Sequence, residues 1–125
     1  MELTTVRYTD LTDSVIDELD DWQGNRLTFA SAVIELGQDN DTVAMLRDDN
    51  TLVGIALLTP VDNTMVVQFL ATKCHGWGKR FIRETLKHFD SLALHSMQDA
   101  RGFYEDCGFT PLGNGNYYIG KPAHN

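Results

Sequence analysis

Cysteine is scarce in this chain, with two among 125 residues. Cys74 and Cys107 stand at no metal-ligand spacing, so no metal site is expected and both are read as reduced thiols of a cytoplasmic protein. No apolar run approaches the roughly 18 residues needed to cross a membrane. The opening stretch, Met1 to Tyr8, has neither a basic n-region nor an apolar h-region, so no signal peptide is expected. Basic residues are outnumbered, 10 Lys/Arg against 18 Asp/Glu, and the net charge of −8 argues against nucleic acid as the main partner. Internal repeats, low-complexity segments and linkers are lacking too. What is present, 42% hydrophobic residues with scattered aromatics, suits a soluble globular chain in which residues 1–125 form one domain around one core.

The charge is unevenly spread. Residues 1–50 hold 12 Asp/Glu against 3 Arg, a net of −9, whereas residues 51–125 hold 6 acids against 7 Lys/Arg, a net of +1. The second half is therefore the one able to receive an anion. The acidic first half also fits faces that merely keep the protein soluble.

Strand and helix signals alternate along the chain. Leu3 to Tyr8 reads as a strand, and Asp10 or Thr12 is placed to cap a helix carrying Val15, Ile16, Leu19 and Trp22 at helical spacing. Gly24-Asn25 breaks that helix, and Leu27 to Leu36 forms a second one ending at Gly37. Thr42–Arg47 and Leu52–Leu58 form a hairpin across Asp48-Asp49-Asn50. A turn at Pro60-Val61-Asp62-Asn63 leads into a buried central strand, Thr64–Ala71. Phe81, Ile82, Leu86 and Phe89 then mark a helix. Ser91–His95 is a short strand, and Ser96 caps a helix carrying Ala100, Phe103, Tyr104 and Cys107 on one face, stopped by Gly108. Gly113-Asn114-Gly115 turns a last hairpin into Tyr117-Tyr118-Ile119.

Between the central strand and its helix lies Thr72-Lys73-Cys74-His75-Gly76-Trp77-Gly78-Lys79-Arg80. Glycines at a helix start let a ligand come close to backbone, and the unpartnered first-turn N–H groups favour an anion. Lys79, Arg80 and Arg83 crowd the positive end of the helix dipole, a placement that a bound anion would explain. A nucleotide P-loop does not fit, because Arg80 stands where Ser or Thr is needed and the upstream glycine is missing. A dinucleotide fingerprint does not fit either, because its third glycine falls at Phe81. An ordinary helix start with glycines for packing fits as well.

The spacing Lys73-x-x-Gly76-x-Gly78 resembles the Gln/Arg-x-x-Gly-x-Gly/Ala motif of the GNAT superfamily of acetyl-CoA-dependent N-acetyltransferases. About 26 residues further on, Ala100-Arg101-Gly102-Phe103-Tyr104-Glu105-Asp106-Cys107-Gly108-Phe109 resembles that family's Ala-x-x-Phe/Leu-Tyr-Glu-x-x-Gly-Phe helix. The element order β-α-α-β-β-β-α-β-α-β-β is also that of the family. Three features depart from it. Lys73 replaces Arg or Gln and lacks their fork of hydrogen-bonding groups. The usual proline before the loop is absent and that connection is about one residue short. Met97 stands where an Asn often starts the later helix, with Ser96 as a substitute.

The resemblance implies an α/β fold: a central mixed, mostly antiparallel sheet with helices on both faces and a splayed central strand pair. Acetyl-CoA would be the cosubstrate, its pantetheine along Phe69, Leu70 and Ala71. Its pyrophosphate would lie on Cys74, His75, Gly76, Trp77, Gly78 and Lys79, with Lys73, Ser96 and a core-facing Phe103 completing the cofactor site. A backbone N–H on the central strand near Leu70 would serve the oxyanion and Tyr104 would protonate the leaving thiolate. The base stays open among His95, water and none of the side chains, since the Gln68 amide accepts no proton. The implied acceptor is a primary amine, on a small molecule or a peptide, and the Asp-rich first half would suit a cationic one. An acyl-CoA-binding or regulatory module with little turnover is the alternative, and an interaction domain without cofactor is a third reading. A monomer or a homodimer is expected.

Overall fold

The longest strand, β3 (Thr51–Val61), buries every residue from Leu52 to Leu58. A run of that kind needs cover on both faces of its sheet. The computed structural model, which describes residues 2–20, 34–73, 76–96 and 101–120, supplies that cover. In chain order the elements are β1 (Glu2–Arg7), a 3-10 turn (Tyr8–Asp10), α1 (Asp13–Asp20), helical residues 34–36, β2 (Thr42–Asp48), β3, β4 (Thr64–Thr72), α2 (Gly78–Leu86), β5 (Ser91–His95), α3 (Arg101–Asp106), β6 (Thr110–Gly113) and β7 (Asn116–Gly120). No helix among the described residues is long and apolar enough to cross a membrane.

The seven strands form one sheet in the order β1-β2-β3-β4-β5-β7-β6. Every pair is antiparallel except β4 with β5. That parallel pair cannot be joined by a tight turn, so the chain crosses over through α2. The β2–β3 hairpin closes through Asp49 and Asn50, both at positive φ (50° and 70°). This suits a two-residue primed turn, where Asp and Asn tolerate the left-handed region.

Strand alternation sorts the apolar residues into two layers. One face packs Ala44, Leu46, Val53, Ala56, Leu58 and Met65 against Phe81 and Ile82 of α2. The other packs Val43, Met45, Leu52, Ile55 and Leu57 against Val15 and Leu19 of α1. Gly54 lets α2 settle on the first face, since a Cβ there would stand 2.6 Å from the Phe81 ring. Phe81 is fully buried as a result, which contributes about 1.5–3 kcal/mol of hydrophobic transfer.

The sheet differs from expectation in β4, where Met65 and Ala71 are buried but Gln68 is exposed and the other residues are half-buried, and at one turn. Pro60 and Val61 belong to β3, not to the turn, which is only Asp62-Asn63. Pro60 pairs with Met65 of β4, while the β2 ladder starts at Thr42 opposite Leu58. Its missing N–H therefore costs no bond to β2. The Gly24-Asn25 break and most of the second helix lie outside the described residues. The helix does end before Gly37, but that residue has no positive φ. A side chain at Gly37 would run into the Tyr8 ring, whose hydroxyl donates to the Ile34 carbonyl at 3.0 Å.

Candidate active site

Pairing between β4 and β5 is brief, with Met65 opposite Leu92 and Val66 opposite Ala93. Directly beyond it, Leu57 pairs with Phe69 and Leu58 with Val67, so Gln68 is an extra residue bulged out of β4. A bulge bends and twists its strand, and here it lies where β4 leaves β5. The opening falls at the carboxyl ends of the two parallel strands, where open α/β sheets offer a crevice. The expected splayed central pair is thus present.

Two cavities occupy the opening and share Leu70. The larger, about 480 Å³, is lined by Leu70, Ala71 and Thr72 of β4, by Gly76, Gly78 and Lys79, and by Phe103, Asp106 and Cys107. The smaller, about 250 Å³, is lined by Val67, Gln68, Phe69 and Leu70 of β4, Leu94 and His95 of β5, Ser96, and Tyr104 of α3.

The larger cavity is built from backbone at the start of α2. Gly76 holds φ at +92°, a conformation that side chains disfavour. Trp77 occupies the N-cap without a side-chain cap, and the first helical bond runs from the Phe81 N–H to the Trp77 carbonyl at 2.9 Å. The N–H groups of Gly78, Lys79 and Arg80 precede that bond and have no partner within the helix. No acidic residue stands in the first turn. Gly78 is buried under the Phe103 ring, and a Cβ there would come within 2.6 Å of Cζ.

Cys107 faces the same cavity. Burial pushes its thiol pKa up; Lys79 and Arg83 pull it down and Asp106 pushes it up. Two of the three cations of α2, Lys79 and Arg83, therefore lie within electrostatic reach of this wall.

Tyr104 stands between the cavities and the core. Its ring meets Phe103 and Phe109 edge-on, at 5.1 and 5.5 Å between centroids, and lies 6.2 Å from Tyr117. Burial first, then the neighbouring Cys107, raises its pKa above the ordinary tyrosine value. The phenol thus stays protonated through the physiological range and remains a hydrogen-bond donor.

The residues singled out in the sequence are only partly brought together. Leu70, Ala71, Gly76, Gly78, Lys79 and Phe103 line the larger cavity, while Phe69, Ser96 and Tyr104 line the smaller. Lys73 is exposed, lines neither, and spends its N–H on the Val53 carbonyl at 2.8 Å. Trp77 is half-buried against the Phe81 layer. Cys74, His75 and Met97 lie outside the described residues. Phe103 does not face the core; it is 39% exposed and lies over Gly78, and Tyr104 takes the core-facing position. A six-residue helix at the sheet margin turns only part of its surface inward, and the ring nearest Phe109 and Tyr117 occupies it. Sequence reading missed Thr72, Asp106 and Cys107 as wall residues. The signal was the spacing of Phe103, Asp106 and Cys107, which are i, i+3 and i+4 on one helix face.

No protein-family model matches the sequence, and no curated protein matches it either. Solved structures do resemble it. Tetrahymena GCN5 is similar over 100% of this chain and 99% of its own, with a TM-score of 0.74 at 13% identity. The Campylobacter jejuni N-acetyltransferase PseH in complex with acetyl coenzyme A is similar over 97% of this chain and 100% of its own, with a TM-score of 0.64 at 14% identity. YhhK from E. coli, bound to coenzyme A, is similar over 96% and 99%, with a TM-score of 0.64 at 17% identity. Likeness at such identities speaks for architecture. The chain has the GNAT fold.

Proposed function

We propose that this protein is an acetyl-CoA-dependent N-acetyltransferase that moves an acetyl group directly to a primary amine. One observation carries the reading: the opening between β4 and β5 leads from an uncapped, glycine-bearing helix start at one end to the Tyr104 phenol at the other. The fold is shared with PseH holding acetyl coenzyme A and YhhK holding coenzyme A, which supports the choice of cosubstrate.

The residues present fit it. The N–H groups of Gly78, Lys79 and Arg80 would receive the pyrophosphate, with Lys79 adding charge. Hydrogen bonds to charged groups contribute about 1.5–3 kcal/mol each, so a few give micromolar affinity after the cost of ordering. Backbone groups of Leu70 and Ala71, beyond the last β5 pair, would align the pantetheine arm. The Leu70 N–H would stabilise the oxyanion, and Tyr104 would protonate the departing thiolate. A buried phenol is a weak acid, so this transfer runs together with C–S cleavage.

A second reading has one observation in its favour: no carboxylate lines the smaller cavity among the described residues. It is an acyl-CoA-binding module with little turnover. A thermal-shift titration with acetyl-CoA, followed by thiol release with a panel of primary amines, separates the two. At 100 times Kd, binding adds about 2.7 kcal/mol, so the melting temperature should rise by several degrees. A flat response at millimolar acetyl-CoA removes both. A shift without thiol release leaves the binding module.

A further inference from the structure

Acetyl transfer to an amine needs a group that takes a proton from the acceptor nitrogen. Among the described residues lining the smaller cavity, the polar side chains are Gln68, His95, Ser96 and Tyr104. An amide has no basic site, a serine hydroxyl is not a base near neutral pH, and the Tyr104 phenol is held protonated by burial. An imidazole changes charge between about pH 5 and 8. Among the described residues the cavity thus contains one side chain of suitable chemistry.

The sheet holds that side chain in a defined state. His95 is the last residue of β5 and stands opposite Asn116 in the β5–β7 ladder, so the two share a face. His95 Nδ1 lies 3.1 Å from Asn116 Oδ1. An amide oxygen only accepts, so Nδ1 carries the hydrogen and Nε2 keeps the lone pair. The register of two paired strands, and not a mobile loop, brings these two side chains together.

We infer that His95, held by Asn116, takes the proton from the acceptor amine in the smaller cavity. The inference rests on the acetyl transfer proposed above. The amine arrives as an ammonium and gives one proton to His95 Nε2. Its lone pair then forms the C–N bond to the thioester carbon. The C–S bond breaks with its electron pair going to sulfur, and the thiolate takes the Tyr104 proton. The nitrogen returns its second proton to the Tyr104 oxygen, and His95 releases the first to solvent. One amide, one thiol and one proton leave. Gln68 from β4 and Tyr104 from α3 line the same cavity as His95, and Asn116 from β7 and Arg101 from α3 lie beside the imidazole. The Arg101 Nη2 and His95 Cε1 both lie about 3 Å from the point a Cβ on Gly115 would occupy.

The test measures CoA release from acetyl-CoA with the same amine panel. His95 is exposed, so His95→Gln should fold and melt like the parent and bind acetyl-CoA equally well. Its kcat should fall about 100-fold, within the range for general acid–base catalysis. His95→Ala should regain rate as free imidazole is added, a response that a merely structural role would not give. Asn116 is a positioning residue: Asn116→Ala should lose about 10-fold in kcat with KM little changed, and Asn116→Asp, which still accepts from Nδ1, should restore it. A parent that transfers acetyl groups alongside a His95→Gln variant of equal kcat overturns the inference and leaves the proposed function standing. A parent that binds acetyl-CoA but acetylates no amine overturns both.

Discussion

The two cavities that meet at Leu70 are made of different materials. The larger is walled by glycines, strand backbone and the uncapped start of α2, with Lys79 at its edge. The smaller is walled by side chains with chemistry, namely Gln68 of β4, His95 of β5, Ser96 just after it, and Tyr104 of α3. Backbone N–H groups recognise an anion without depending on side-chain identity, whereas proton transfer depends on which side chain is present and how it is held. The contrast divides the site into a part suited to holding a cosubstrate and a part suited to acting on it. Substitutions should therefore separate affinity from turnover.

The largest effect should come from the backbone side. Gly78→Val would place a Cβ against the Phe103 ring and branch into the space above the helix start. Acetyl-CoA affinity should drop at least 100-fold in a titration, about 2.7 kcal/mol or more, while circular dichroism still reports a folded protein. Parent-like affinity would mean that the anion site is not at this helix start, and the contrast between the cavities would collapse.

On the side-chain side, Tyr104→Phe keeps the ring and its edge-on contacts with Phe103 and Phe109. CoA affinity and melting temperature should stay put while kcat falls by roughly 10²-fold. The thiol of CoA has a pKa near that of free cysteine, about 8.5, so it departs tolerably even unassisted and the loss belongs at the low end of the usual range. Unchanged kcat across pH would make Tyr104 a packing residue. A loss of CoA affinity instead would move it into the binding half.

The smallest effect concerns Cys107, on the wall of the larger cavity. Its thiol is pushed upward, chiefly by burial. A raised pKa means less thiolate at a given pH, so alkylation by iodoacetamide should be slower than for a free thiol. The rate should climb only above the ordinary thiol range. Measured in a Cys74→Ser background so that one thiol is read, the rate at pH 8 should fall a few-fold further with saturating CoA. No protection by CoA would show that the occupied cavity ends short of Cys107.

Local signals explain what was legible beforehand. The β2–β3 hairpin was readable because Asp and Asn suit positive φ wherever they occur. The glycine-bearing loop was readable because its consequences, close approach and unpartnered N–H groups, follow from neighbours in the chain. Pro60 was misassigned because its tolerance in β3 depends on where β2 begins, which the segment around Pro60 does not encode. Tyr104, and not Phe103, takes the core-facing position for a similar reason. Adjacent positions on a helix both pass as inward from spacing alone, and the rings of Phe109 and Tyr117 decide between them.

By itself the sequence determined the alternation of strands and helices, the glycine-bearing start of α2 with its unpartnered N–H groups, and the tyrosine of α3. Each depends on periodicity, turn chemistry or capping over a few residues. Tertiary structure alone decided that Gln68 bulges at the point where β4 leaves β5, that Gly78 lies under Phe103, and that Asn116 Oδ1 stands 3.1 Å from His95 Nδ1. These are meetings of residues 12, 25 and 21 positions apart, counted from Leu57, Gly78 and His95 to Phe69, Phe103 and Asn116. Such meetings arise only when sheet register and helix docking bring distant segments into contact, and no local preference specifies either one.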